Sequence, residues 1–197
     1  MKELICIKDI LDTIYLDEQY QRLTVDKFPW YLNPSSVPHC DIKEETKSNY
    51  KDGPVFRHSI FWDSKLNSKE ALNRAQPILK EIENVFPGEE VEFTYVSFNL
   101  LVPNPFEEGA LNFPHIDTEY TEEELKEFDA YTGIFYFNDS DGDTVFVDNE
   151  NLNKVIHRIT PQKNTLFIWD HRQYHAAPVA PTTGFRVVLN INFNVKK

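Results

Sequence analysis

Phe185-Arg-Val-Val-Leu-Asn-Ile-Asn-Phe-Asn-Val195 alternates apolar and mostly polar residues with a period of two. In an extended strand, successive side chains point to opposite faces. Phe185, Val187, Leu189, Ile191, Phe193 and Val195 therefore share one face, and Arg186, Val188, Asn190, Asn192 and Asn194 share the other. The first face is built to pack. The second carries an arginine and three asparagines, which suits the wall of a polar site better than a dry core.

Working backwards along the chain, more strands are expected. Thr165 to Trp169, Val155 to Ile159, Thr144 to Val147, Tyr131 to Asn138, Val91 to Val102 and Val55 to Trp62 are short runs rich in β-branched and aromatic residues. Residues 3–8 form a further short strand by the same reading. Asp141-Gly142 and Pro161 to Asn164 read as turns, and Asp170 to Tyr174 as a tight connection. Seven or eight strands separated by turns predict a mainly β sandwich or jelly roll.

Helices are expected only toward the N-terminus and in one acidic turn. Asp17 to Leu23 reads as a short helix capped by Asp17. Ala71, Ala75, Ile78, Ile82 and Val85 recur at helical spacing, with Ser68 as cap and Pro87-Gly88 as stop. Pro77 falls inside this run, so a kink or a start near Ala75 is expected. This helix needs an apolar surface to cover, and the odd-numbered face of 185–195 supplies one. Thr121-Glu-Glu-Glu124 is a capping-box pattern opening a short acidic helix to Phe128. Phe28-Pro-Trp-Tyr-Leu-Asn-Pro34 reads as an edge strand or extended loop because of Pro29. Residues 33–54 are polar and irregular, and loops of this length are commonly lids or binding loops.

The bulk properties restrict the function classes. With 197 residues the chain can bury a sizeable core, and we read 1–197 as one domain. Its net charge of −12 makes it a poor candidate for gripping duplex nucleic acid, whose affinity is supplied by Lys and Arg. No apolar run reaches the roughly 20 residues that span a bilayer. The N-terminal residues lack a signal-peptide core, so a cytoplasmic location is expected. The only cysteines, Cys6 and Cys40, read as thiols rather than as a disulfide frame.

Chemistry concentrates at His115-Ile-Asp117. Residues two apart on an extended strand reach the same side, so an imidazole and a carboxylate can meet one ion. The plain alternative is a loop salt bridge. His175 follows a strand and a tight turn, with His171 as rival. Arg186 lies eleven residues beyond His175, on the polar face of the last strand. A buried arginine there requires a partner, either a local acid or a bidentate carboxylate ligand. Asp139-Ser-Asp-Gly-Asp143 with Glu150 has some of the spacing of a Ca2+ loop, but Thr144 stands where that loop needs glycine, and a hairpin turn is the better account.

His115-Ile-Asp117, His175 and Arg186, in this order, resemble the set shared by Fe(II)- and 2-oxoglutarate-dependent dioxygenases, especially the prolyl-4-hydroxylase-like branch. Tyr131-Thr-Gly-Ile-Phe-Tyr-Phe-Asn138, Asp141-Gly-Asp-Thr-Val-Phe146 and Pro161 to His175 resemble successive segments of that branch. Residues 1–90, with Phe28-Pro-Trp-Tyr31, resemble oxygenase-like proteins found in phages. The resemblance implies a double-stranded β-helix (jelly roll, cupin-like) over 91–195, with 1–90 as N-terminal support. It implies that His115, Asp117 and His175 hold Fe(II), and that Arg186, with Tyr136, contacts the distal carboxylate of 2-oxoglutarate. The co-substrates are then 2-oxoglutarate and O2. The products are succinate, CO2 and a hydroxylated protein residue or small molecule. The presence of Asp117 argues against halogenation and is consistent with hydroxylation, oxidative demethylation or desaturation. Two features depart from the branch: a long loop at Pro103 to Phe113, and Val188 in place of a Ser or Thr. The alternative reading is a cupin-like metal- or ligand-binding module without a redox cycle. The loops at 33–54, 103–113 and 118–130 are expected to frame the entrance.

Overall fold

The computed structural model describes residues 4–35 and 50–197; Cys40 and most of the polar 33–54 stretch lie outside the described residues. The strands are β1 (Ile5–Lys8), β2 (Tyr31–Asn33), β3 (Val55–Trp62), β4 (Lys65–Leu66), β5 (Val91–Leu101) and β6 (Phe128–Tyr136). They continue with β7 (Thr144–Val147), β8 (Val155–Ile159), β9 (Thr165–Asp170), β10 (His175–Ala176) and β11 (Arg186–Lys196). Helices α1 (Thr13–Thr24) and α2 (Lys69–Val85) precede β5, and single 3-10 turns occur at Pro105–Glu107 and Glu124–Lys126.

The strands form two antiparallel sheets. The larger has the order β1-β9-β6-β11-β5-β3-β2, with β4 paired to β3. The smaller has the order β10-β7-β8. Strand β11 lies centrally between β5 and β6, so both of its edges are paired. The register with β5 shifts after Asn192, where Thr94 is the extra residue of a bulge.

The two faces of β11 do what their alternation requires. Val187, Leu189, Ile191, Phe193 and Val195 join the main core together with Leu16 and Leu23 of α1 and Ala71, Ala75, Ile78, Leu79 and Ile82 of α2. The helices thus cover the outer face of the large sheet. On the inner face, Ile134, Tyr136, Trp169 and Val188 of the large sheet pack with Phe146 and Ile159 of the small one. This second core closes one end of the space between the sheets. The other end opens into a cavity lined by both polar and apolar residues.

Local chemistry accounts for the helices and corrects their expected limits. Helix α1 begins earlier than expected, because Asp12, not Asp17, is the cap: its carboxylate accepts from the Ile14 and Tyr15 amides at 2.9 and 3.2 Å. Ser68 caps α2 through Ala71 N at 3.3 Å, as expected. The helix is continuous from Lys69 to Val85 through Pro77, so it does not start near Ala75, and Pro77 is exposed. Its ring therefore meets solvent rather than the core, and the missing N–H falls on the outer side of the helix. The capping box at Thr121 forms, with Thr121 N donating to Glu124 Oε2 at 2.7 Å, but it supports one 3-10 turn only.

Residues 138–143 do not form the expected hairpin. They carry the chain from β6 in the large sheet to β7 in the small one, and those strands do not pair. The acids of this segment hold the crossover in place. Asp141 accepts from the Thr182 and Thr183 amides at 3.0 and 3.1 Å, and Asp139 accepts from Lys163 N at 2.7 Å. They serve backbone groups instead of converging as a Ca2+ loop would. Among the described residues, no helix is long and apolar enough to cross a membrane.

Candidate metal and dicarboxylate site

His115 lies beyond the end of β5 and His175 begins β10. The two are joined by an isolated antiparallel bridge: His115 N donates to His175 O at 2.9 Å, and His175 N to His115 O at 3.0 Å. Directly opposed residues project on the same side, which brings the two rings to a centroid distance of 4.8 Å. Asp117 follows two residues after His115 and turns toward both. His115 Nε2 is 3.4 Å from Asp117 Oδ1, and His175 Nε2 is 3.8 Å from Asp117 Oδ2. One ligand atom from each of these three residues lies within 4.8 Å of the others, a grouping able to hold a metal ion.

The proton arrangement suits that use. His115 Nδ1 meets Phe113 O at 2.9 Å and His175 Nδ1 meets Gln173 O at 3.3 Å. A carbonyl only accepts, so each Nδ1 carries the hydrogen, and in the neutral rings Nε2 presents its lone pair toward Asp117. Burial dominates at His175 and pushes its pKa down to about 4, against the pull of Asp117. Burial also opposes charge on Asp117, but the neighbouring histidines outweigh it and hold the carboxyl down at about 2. At His115, burial is outweighed by the hydrogen bond and charge of Asp117, and the pKa is raised. The result is an ionised carboxylate facing at least one neutral imidazole, the donor set that borderline divalent metals accept. His171 stands apart, with Nδ1 3.2 Å from Ala130 O.

Arg186 is the first residue of β11 and is 3% exposed. Its Nε donates to Gly142 O at 2.9 Å and its Nη2 to Thr144 Oγ1 at 2.8 Å. Thr144 Oγ1 shares a further hydrogen bond with Tyr136 Oη at 2.7 Å, and the guanidinium carbon lies 5.5 Å from the Tyr136 ring centroid. Among the described residues, no carboxylate lies within 4.0 Å of this guanidinium. Burial lowers its pKa, with Tyr136 and Asp143 opposing. Gly142 is required at the contact: a Cβ there would fall 2.8 Å from Pro178 Cγ and 3.0 Å from Arg186 Cδ.

Arg186 and the triad open into one cavity of about 560 Å3. Thr144 and Trp169 line it, as do Asn190, Asn192 and Asn194 from the polar face of β11. Tyr136 is fully buried behind Thr144, so Thr144 stands beside Arg186 at the cavity wall. Of the loops expected at the entrance, Asn112 and Thr118, Tyr120, Glu124 and Phe128 reach the lining.

Two participants were not singled out by the sequence as site residues. Thr144 carried a signal only in the turn-and-strand resemblance. Asn192 carried one only as part of an alternating row. With its amide nitrogen turned inward, Asn192 donates to Asp117 Oδ2 at 3.0 Å and reaches Thr132 Oγ1 at 3.3 Å.

No protein family's sequence profile matches the chain, and no curated protein matches it by sequence. Solved structures do. A structure described as an oxidoreductase of the 2OG-Fe(II) oxygenase family, from Burkholderia pseudomallei, is 11% identical, with a TM-score of 0.65 over 96% of this chain and 84% of that one. A prolyl hydroxylase from Trichoplax adhaerens, solved with a hypoxia-inducible-factor peptide fragment, is 14% identical with a TM-score of 0.60, covering 98% and 83%. The viral collagen prolyl hydroxylase of Paramecium bursaria Chlorella virus-1, in its 2OG complex, is 14% identical with a TM-score of 0.58, covering 98% and 96%. At identities this low the shared property is the fold: the chain has the double-stranded β-helix of the Fe(II)- and 2-oxoglutarate-dependent oxygenases.

Proposed function

We propose that this chain is an Fe(II)- and 2-oxoglutarate-dependent dioxygenase that hydroxylates a protein residue or a small molecule. One observation carries the reading. A buried arginine, without a carboxylate partner among the described residues, opens into the same cavity as a His-Asp-His group. A buried cation is costly unless an anion meets it. A dicarboxylate that also reaches the metal supplies that anion.

In this reading His115, Asp117 and His175 hold the metal through two Nε2 atoms and one carboxylate oxygen. Arg186 receives the distal carboxylate, and its fork is kept in plane by Gly142 O and Thr144 Oγ1. Tyr136 holds the Thr144 hydroxyl. Trp169, Phe146, Ile134 and Val188 form an apolar boundary that keeps water from the back of the site. Bound iron with 2-oxoglutarate and O2 supplies oxidation of a substrate C–H bond coupled to release of succinate and CO2. We read residues 1–197 as one oxygenase domain, with 1–90 supporting the core of 91–195.

The test is anaerobic titration of the purified protein with Fe(II) and then 2-oxoglutarate, followed in visible light. The weak charge-transfer band of a keto acid chelated to iron is expected. A folded protein that holds iron but gives no band refutes the oxygenase reading and favours a metal-binding module.

A further inference from the structure

Asp117 sits on a bend beyond the single backbone bridge of His115, outside any strand. Its backbone does not fix how its carboxylate turns. From the sheet, Arg57 of β3 acts on it by charge, and Asn192 of β11 meets it by hydrogen bond. On β11 this residue is paired with Thr132 of β6, and both are buried, at 5% and 3% exposure. The inward amide nitrogen meets Asp117 Oδ2 at 3.0 Å, Thr132 Oγ1 at 3.3 Å and Ile191 O at 3.2 Å. The opposite setting would place the amide oxygen against those acceptors, so the orientation is decided by its partners.

Asparagine is a poor choice for a buried central strand, where β-branched and aromatic residues pack better. Its presence at 192 calls for a task that a valine or threonine cannot perform. A carboxylate near a metal can bind through one oxygen or both. Binding through both would take a position that a chelating co-substrate and dioxygen need. A neutral N–H donor on one oxygen prevents this without competing with the metal for charge, which a lysine would do.

We propose that Asn192 is a positioning residue that occupies Asp117 Oδ2, so that Asp117 meets the metal through Oδ1 alone and three positions stay open. The inference rests on the metal reading above. Thr132 completes the device by keeping the amide plane turned toward Asp117.

The test is Co(II) titration of the full chain, reading both the dissociation constant and the visible d–d spectrum, which responds to coordination number. In Asn192→Leu, Co(II) affinity falls roughly ten- to a hundredfold, the usual effect of losing a partner behind a metal ligand. The spectrum changes shape as well. Asn192→Ser, whose short hydroxyl does not reach Asp117, behaves the same way and guards against a folding defect in the leucine variant. Folded Asn192→Leu or Asn192→Ser protein with wild-type affinity and spectrum overturns the proposal alone. Wild-type protein that binds no Co(II) overturns the metal reading and this inference with it.

Discussion

Replacing Arg186 by methionine separates a ligand-binding arginine from a structural one. The side chain is 3% exposed and makes two hydrogen bonds, to Gly142 O and Thr144 Oγ1. In the ligand-free protein, Arg186→Met leaves Gly142 O without its donor, at a cost of about 1–3 kcal/mol. Thr144 keeps its bond to Tyr136. Against this, the variant removes a buried cation that no described carboxylate neutralises. Exchanging buried charge for apolar volume is often neutral or stabilising by about 1–4 kcal/mol. The two effects nearly cancel, so ligand-free stability should stay within about 2 kcal/mol of wild type. Ligand binding should respond very differently. Two charge-assisted hydrogen bonds at about 1.5–3 kcal/mol each amount to a hundredfold or more in affinity for 2-oxoglutarate, on the order of 3–6 kcal/mol. Thermal unfolding with Mn(II) in place of iron reads both quantities. At about 100 times Kd the ligand adds about 2.7 kcal/mol, which in a chain of this size raises Tm by roughly 5–10 °C. Wild type should show this rise, and Arg186→Met should lose it, with a ligand-free Tm within roughly 8 °C of wild type. A variant that is strongly destabilised yet still gains the full ligand shift would refute the argument, because Arg186 would then be a structural cation.

Three further outcomes are expected. His115→Ala should abolish 2-oxoglutarate-dependent succinate release; full turnover in that variant would exclude His115 as a ligand. Gly142→Ala should weaken 2-oxoglutarate by about tenfold, because the new methyl group meets a rigid proline ring at 2.8 Å and pushes on Arg186 at 3.0 Å. Calorimetry showing an unchanged Kd would mean that this contact does not set the guanidinium. Pro77→Ala should raise stability by about 1–3 kcal/mol, since it restores an N–H on the exposed side of α2 without touching the core. A fall in Tm would show that the proline ring contributes packing.

The strand β11 shows how far the sequence reaches. Its period-two pattern is a property of the chain, and strand geometry converts it directly into a face for α1 and α2 and a face for the cavity. The same holds for Ser68 and the apolar residues of α2, whose partners lie within a few positions; Asp117, by contrast, sits on a bend, so strand alternation does not set its direction. Where a neighbouring signal competes, local reading goes astray. Asp17 resembles a cap as well as Asp12 does, and the difference is made by which residues α1 must bury. Asp141-Gly142 resembles a hairpin turn, but the strand after it joins the other sheet, and pairing between distant strands is invisible to a local pattern.

What the sequence by itself determined was the set of candidate residues, two imidazoles, a carboxylate and an arginine, with strand alternation defining the facing of Arg186 alone. Tertiary structure alone decided their company. The bridge between residues 115 and 175 brings the histidines together, and the crossover at 138–143 carries Thr144 to Arg186. The pairing of β11 with β6 turns Asn192 and Thr132 toward Asp117. Each of these depends on a contact between residues tens of positions apart. The physical reason is that a side chain's direction follows from its own backbone, whereas its partner follows from how the sheets close on one another.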